Sequence, residues 1–248
     1  MDYFNLAPSD INNIILSYLE FDELVLLLNT FTVPNLNWSV IHQYHFGEYK
    51  QIELNGYLTR LASESLITKY KLNYTIDQLL TREELFFNHK NIKRVPKEIG
   101  YLINLRHLIL SNNRIIKIPM KILRSLTNLK ELHLDSNLIV QVPIELFTLN
   151  NLTELYLFNN RIEQVPKEIG NLNNLRSLGL SYNRIKELPK EIGNLVNLEK
   201  LSILFNKLKD LPKEMGNLTK LRYLNITNNE IKQVPDEIIR IPEIKIYK

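Results

Sequence analysis

From residue 82 onward the apolar positions fall in one recurring order. In the stretch that opens at Leu152 they are Leu152, Leu155, Leu157, Ile162, Val165, Ile169 and Leu172, with Asn160 and Pro166 at fixed places among them. The order repeats on Pro96, Pro119, Pro143, Pro166, Pro189, Pro212 and Pro235, at a spacing of 23 residues with one spacing of 24. Seven units of L-x-x-L-x-L-x-x-N-x-I-x-x-V-P-x-x-I-x-x-L-x-x result, and only Arg82 and Lys90 of the first unit break the pattern. A period of this length marks a solenoid, because one unit cannot bury its own leucines and stacked units can.

Each part of the unit predicts a local structure. The alternation at the end of L-x-x-L-x-L predicts a short strand with one buried face. The asparagine at the following turn has amide groups that can bond its own coil and the neighbouring one. Stacking therefore predicts a ladder of Asn113, Asn137, Asn160, Asn183, Asn206 and Asn229. Xaa-Pro forces an extended bend, and segments such as PKEIGNL return the chain as a short helical turn on the outer face. The Lys-Glu pairs after the prolines belong to that outer, solubilising surface. Ile244 and Tyr247 fall at the first and fourth positions of an eighth unit, both core columns. The fold class expected is an α/β solenoid of seven ~23-residue units with a parallel sheet, preceded by a small all-α module.

These units resemble leucine-rich repeats. The LPxxIGNLxxL form is similar to the 23-residue intracellular class found in Ras-group-related plant proteins and in the Shoc and Scribble relatives. The resemblance implies a concave face, lined by the strands, that binds proteins. Positions 3, 5, 7 and 8 of each unit point to that face or lie at its edge. Seven strands at ~4.8 Å make it roughly 30 Å long, suited to a protein surface or an extended peptide.

The residues placed there include Tyr156, Phe158, Tyr182, Leu204, Phe205 and Tyr223, an aromatic group typical of binding anchors. An alternative has Phe158 and Phe205 tucked into the solenoid edge beside the ladder. Glu131, His133 and Glu154 join the target-binding set, with His107 and Asp135 nearby. These come from different units and do not converge as metal ligands must, so a solvated polar face is expected and no metal. Arg114, Arg161, Arg184 and Lys207 form a basic row beside the ladder, interrupted at Leu138 and ended at Glu230.

Charge divides the chain. Residues 1–49 hold six acids and no Lys or Arg, whereas the repeat segment carries the basic excess behind the net charge of +4. Lys and Glu alternate there rather than run in blocks, which argues against nucleic acid as a partner. The chain has no cysteine, which removes disulfides, thiolate zinc sites and a cysteine nucleophile. Extracellular leucine-rich repeat proteins usually carry cysteine-rich caps. Their absence here, with no basic leader and no apolar run long enough to span a bilayer, makes the cytoplasm or nucleus the expected compartment. The five N-x-S/T sequons then follow from asparagine richness alone.

Three regions are expected: a helical module at 1–49, a helical connector at 50–81 and the repeats at 82–248. Ser9 or Asp10 can cap a helix with apolar positions Ile11, Ile14, Ile15, Tyr18 and Leu19. Pro8, Asp10, Ile11, Ile15, Leu16, Leu19 and Leu24 match the opening of an F-box, P-x-E-I-x-x-x-I-L-x-x-L with a later acidic-Leu step. The segment resembles that family, although Trp38 comes about four residues later than the family's Trp. The resemblance implies docking to the Skp adaptor of a cullin–RING ubiquitin ligase. The expected function is a non-catalytic substrate receptor with no cofactor, small-molecule substrate or membrane partner. The alternative is a leucine-rich repeat scaffold or inhibitor whose N-terminal helices are only a structural cap.

Overall fold

The computed structural model describes residues 59–60 and 62–248. The 1–49 module and most of the 50–81 connector lie outside them. Residues 59–60 and 62–70 are helical, and a helix follows at Ile76–Thr81. Thr75 caps it, with its side chain accepting from the Gln78 backbone while the Gln78 side chain accepts from the Thr75 backbone. Leu66 and Leu79 are fully buried in the same core as Leu85 of the first coil, and the Tyr70 ring meets Phe87 edge-on at 4.9 Å. Arg82, which replaces the first leucine, lies over the Tyr74 ring at 4.3 Å.

Eight three-residue strands follow: β1 Glu84–Phe86, β2 His107–Ile109, β3 Glu131–His133, β4 Glu154–Tyr156, β5 Ser177–Gly179, β6 Lys200–Ser202, β7 Tyr223–Asn225 and β8 Lys245–Tyr247. They pair in parallel and in sequence order, so each coil adds one strand beside the last. The middle residue of β1 through β7 is a buried leucine, and these leucines stand in register from Leu85 to Leu224. The flanking residues lie on the opposite face, as a period of two requires, exposed or half-buried except for the buried Gly179.

The return segments are short 3-10 turns such as Lys167–Asn171, Lys190–Asn194 and Lys213–Asn217, each opening after a proline. Coil length and turn type go together. The 24-residue coil, from Leu108 to its partner Leu132, returns through a six-residue α-helix, Met120–Ser125. The last coil returns through a four-residue α-helix, Asp236–Ile239, and is one residue short: Leu224 pairs with Ile246, not Tyr247. This corrects the expected register of the eighth unit. Ile246 takes the core column, and Tyr247 stands half exposed on the sheet face with its ring 5.1 Å from Tyr223. A one-residue slip turns every side chain of a strand over. The shortened coil includes a tight turn at Glu243, whose φ is 56°.

The asparagines bond as follows. Asn183 accepts from Ile162 N–H of the preceding coil at 3.0 Å and donates to the Leu157 and Leu180 carbonyls at 2.9 and 3.0 Å. Asn113, Asn137, Asn160, Asn206 and Asn229 repeat the arrangement. A second column does the same on the other side of the strands. Asn128, Asn151, Asn174 and Asn197 each donate to a carbonyl of the preceding coil at 2.7–3.0 Å, and Asn104 donates to the Leu80 carbonyl of the helix at Ile76–Thr81 at 2.9 Å. Sequence reasoning missed this second ladder, although its signal is plain: an asparagine directly precedes the first leucine of five consecutive units.

Candidate protein-binding face

Strand residues that flank the buried leucines build the exposed face. Two groups stand out on it. On β2 to β4, Glu131 and Glu154 are register partners, so two carboxylates lie side by side. Each is answered by neighbours. His107 Nδ1 is 3.0 Å from Glu131, and His133 Nε2 is 3.9 Å away, beyond hydrogen-bond range. The Tyr156 hydroxyl donates to Glu154 at 2.7 Å and lies 3.2 Å from the Ser177 hydroxyl, which is left to donate to it. The Tyr156 ring meets His133 edge-on at 4.7 Å. It extends over β5 because Gly179 has no side chain: a Cβ there would sit 2.9 Å from the ring.

Burial pushes the Tyr156 phenol above the ordinary value of 10.0, and the Glu154 and Glu131 carboxylates act in the same direction. Below pH 10 the phenol is neutral in both folded and unfolded chains, so its contribution is fully present. As pH rises through that value the unfolded chain ionises first, and stability falls until the folded phenol ionises too. Tyr156→Phe is expected to flatten this decline. Urea midpoints of both proteins at pH 8 and above about pH 10 measure it.

The second group lies at the turn after the strands. Position 8 of all seven coils is in the left-handed region: His89, Asn112, Ser136, Asn159, Tyr182, Phe205 and Asn228 have φ between 53° and 56°. Asn tolerates that conformation; a bulky aromatic does so at a cost of about 1 kcal/mol or more. Tyr182 and Phe205 take it nonetheless, are 51% and 44% exposed, and stack at 4.6 Å with their planes 17° apart. The alternative with Phe205 tucked into the solenoid edge does not hold, since it is exposed. Phe158 and Leu204 are half-buried.

The single aromatic patch expected from the sequence therefore divides into pairs: Tyr156 with Phe158 at 6.3 Å, Tyr182 with Phe205, and Tyr223 with Tyr247. Asp135 is buried, taking a 2.6 Å hydrogen bond from Ser111. Among the described residues no group of three His, Cys, Asp or Glu side chains is placed to hold a metal ion. A hollow of about 560 Å³ beside Glu83, Arg106 and Lys130 is lined by Asn104, Asn128 and Asn151, whose amides are already donated to backbone carbonyls. Among the described residues no helix is long and apolar enough to cross a membrane. The residues matched to the F-box opening, Pro8 to Leu24, lie outside the described residues.

Sequence families agree with this architecture. A leucine-rich repeat region family matches residues 160–244, and a leucine rich repeat family matches residues 103–162 and 127–185. The chain is a leucine-rich repeat protein. Solved structures are similar too. A leucine-rich repeat protein of Leptospira interrogans is 36% identical over 69% of this chain and 50% of its own, with a TM-score of 0.54. An internalin (inlF) of Listeria monocytogenes is 22% identical over 70% and 49%, with a TM-score of 0.60, a likeness of fold alone. A TDR receptor is 29% identical over 66% and 30%, with a TM-score of 0.61. The chain thus spans about half the length of the first two structures and less than a third of the third. No curated protein matches it. Leucine-rich repeat domains generally mediate protein–protein interaction.

Proposed function

We propose that this protein is a non-catalytic receptor, working inside the cell, that holds a target protein on the exposed sheet face and on the Tyr182–Phe205 edge. The observation that carries the reading is the stacked aromatic pair. Two large apolar rings are kept exposed, side by side, on a backbone that disfavours them. Neither ring contributes to the core, and aromatic anchors of this kind supply most of the energy in many interfaces. The Glu131–Glu154 group and Tyr156 would add polar specificity on the adjoining strands.

The finer part of the proposal concerns residues 1–49. Their match to the F-box opening, through Pro8, Asp10, Ile11, Ile15, Leu16, Leu19 and Leu24, supports docking to a Skp-family adaptor. The 23-residue spacing and the IGNL segments support the intracellular Ras-group and Shoc-like class. Together they make a substrate receptor that brings a target to a cullin–RING ligase, with proximity as its whole contribution. The competing reading keeps the target face and gives residues 1–49 no adaptor.

Full-length protein used as bait in eukaryotic cytosol separates these. The wild-type chain is expected to recover adaptor and cullin, and Ile15→Asp with Leu16→Asp to lose both while keeping the target. Recovery of target without adaptor from the wild-type chain leaves the scaffold reading standing. Tyr182→Asn with Phe205→Asn installs the residue found at this turn in three other coils, so the fold survives. That variant is expected to lose roughly 100-fold in target affinity and keep the adaptor. Unchanged target affinity overturns the binding edge.

A further inference from the structure

A repeating surface reports its own exceptions, and the second and third coils are exceptional. Ile116 and Val140 stand in the column where other coils place Lys93, Glu163, Lys186, Lys209 and Lys232. Met120 and Ile144 stand where others open their return turns with Lys97, Lys167, Lys190, Lys213 and Asp236. All four apolar side chains are 41–55% exposed. Leu138, in the same two coils, interrupts the basic row of Arg114, Arg161, Arg184 and Lys207 and is half-buried.

The two coils are held side by side here. Leu138 N–H donates to the Ile115 carbonyl at 2.9 Å, and Arg124 reaches Glu145 at 3.5 Å. The substituted positions therefore form two adjacent apolar pairs on the loop and return-turn side of the solenoid, away from the sheet face. Core packing does not explain them, because the other coils pack with charged residues, mostly lysine, at the same places. Exposed apolar groups that break an otherwise charged column mark an interaction site.

Charge selects the occupant. Between 114–121 and 138–145 the basic residues are Arg114, Lys117 and Lys121, none with an ion-pair partner among the described residues. The sole acid of these stretches, Glu145, is already taken by Arg124. Two copies meeting patch to patch would set these cations against themselves. A partner with an apolar stripe and acidic flanks would satisfy both features.

We infer that the second and third coils carry a docking patch, separate from the target face, for an acidic amphipathic segment of a partner protein. Its anchors are Ile116, Met120, Val140 and Ile144, and its charge selectivity comes from Arg114, Lys117 and Lys121. The patch uses none of the residues assigned to target or adaptor.

The test exploits the repeat. Met120→Lys with Ile144→Lys restores what neighbouring coils already carry, so the solenoid stays folded, as circular dichroism melting verifies. A random 16-residue phage-display library is selected on the full-length wild-type chain and on this variant. Peptides from the wild-type selection are expected to pair Asp or Glu with apolar residues at helical spacing. They should bind M120K/I144K at least tenfold more weakly, bind Tyr182→Asn/Phe205→Asn unchanged, and weaken as salt is raised. Peptides without acidic bias, or indifferent to M120K/I144K, overturn the inference. Sedimentation and hydrogen exchange without peptide test the other occupants. A dimer that M120K/I144K dissociates assigns the patch to a second copy. Exchange that rises in residues 1–58 of that variant assigns it to this chain's own N-terminal segment. Either result overturns the acidic partner.

Discussion

Asn183→Leu is expected to lower stability by about 3–5 kcal/mol, a large share of the roughly 5–15 kcal/mol that holds a domain folded. The reason is specific to the ladder. The Leu157 carbonyl also accepts from Asn160, and the Leu180 carbonyl from Asn206, so neither loses its last partner. Ile162 N–H has no second acceptor: Asn183 Oδ1 is its partner, and leucine leaves it orphaned in a dry site. That orphan costs about 1–3 kcal/mol, and loss of the amide's two N–H donors, shared among the Leu157, Leu180 and Ser181 carbonyls, adds the remainder. Asn206→Leu removes the same set at a half-buried position, where water can replace part of it, and is expected to cost less. Urea midpoints of the two variants decide this. Equal midpoints would mean that the ladder contributes packing rather than hydrogen bonding.

The second large effect is expected at Gly193. Its neighbour across the coil boundary is backbone: a Cβ on Gly193 would overlap the Glu214 carbonyl, with its carbon 2.8 Å away and Glu214 Cβ at 2.9 Å. No rotamer change relieves that contact, so two coils must separate. Gly193→Ala is therefore expected to cost about 1–3 kcal/mol or more. Gly100→Ala is the control. The nearest atom there is the Ser125 side-chain oxygen at 3.1 Å, which can turn away, and the change is expected to stay within about 0.5 kcal/mol. Differential scanning calorimetry of both proteins reads the contrast directly. If G100A costs as much as G193A, coil spacing tolerates no added methyl anywhere and the backbone argument fails.

Much of this was legible in the sequence because repetition converts weak local signals into a strong one. Leu155, Leu178 and Leu201 announce strands only when read together, at one spacing and in one register. The position of each ladder asparagine, and the placing of Tyr156 and Phe205 outside the core column, followed from the same alignment. Other features did not follow. The slip that puts Ile246, and not Tyr247, in the core depends on how many residues the last coil spends between Pro235 and its strand, and the repeat pattern, which sets Ile244 and Tyr247 in the core columns, does not decide that. The division of the aromatics into pairs depends on side-chain direction: Tyr182 and Phe205 stack because a left-handed backbone turns both outward, a conformation that no composition rule assigns to tyrosine. The second asparagine ladder was visible as a column and was overlooked because asparagine already had one explanation.

The ladder also points one way along the chain. Ile115 is closed by Asn137, Ile139 by Asn160, Ile162 by Asn183 and Ile185 by Asn206, each 21 or 22 residues further on. The donor of every closing bond is thus synthesised before its acceptor. While the chain emerges from a ribosome, the newest coil always waits for one further repeat to complete its turn. A pause in translation therefore leaves the last coil made without the asparagine that closes its turn.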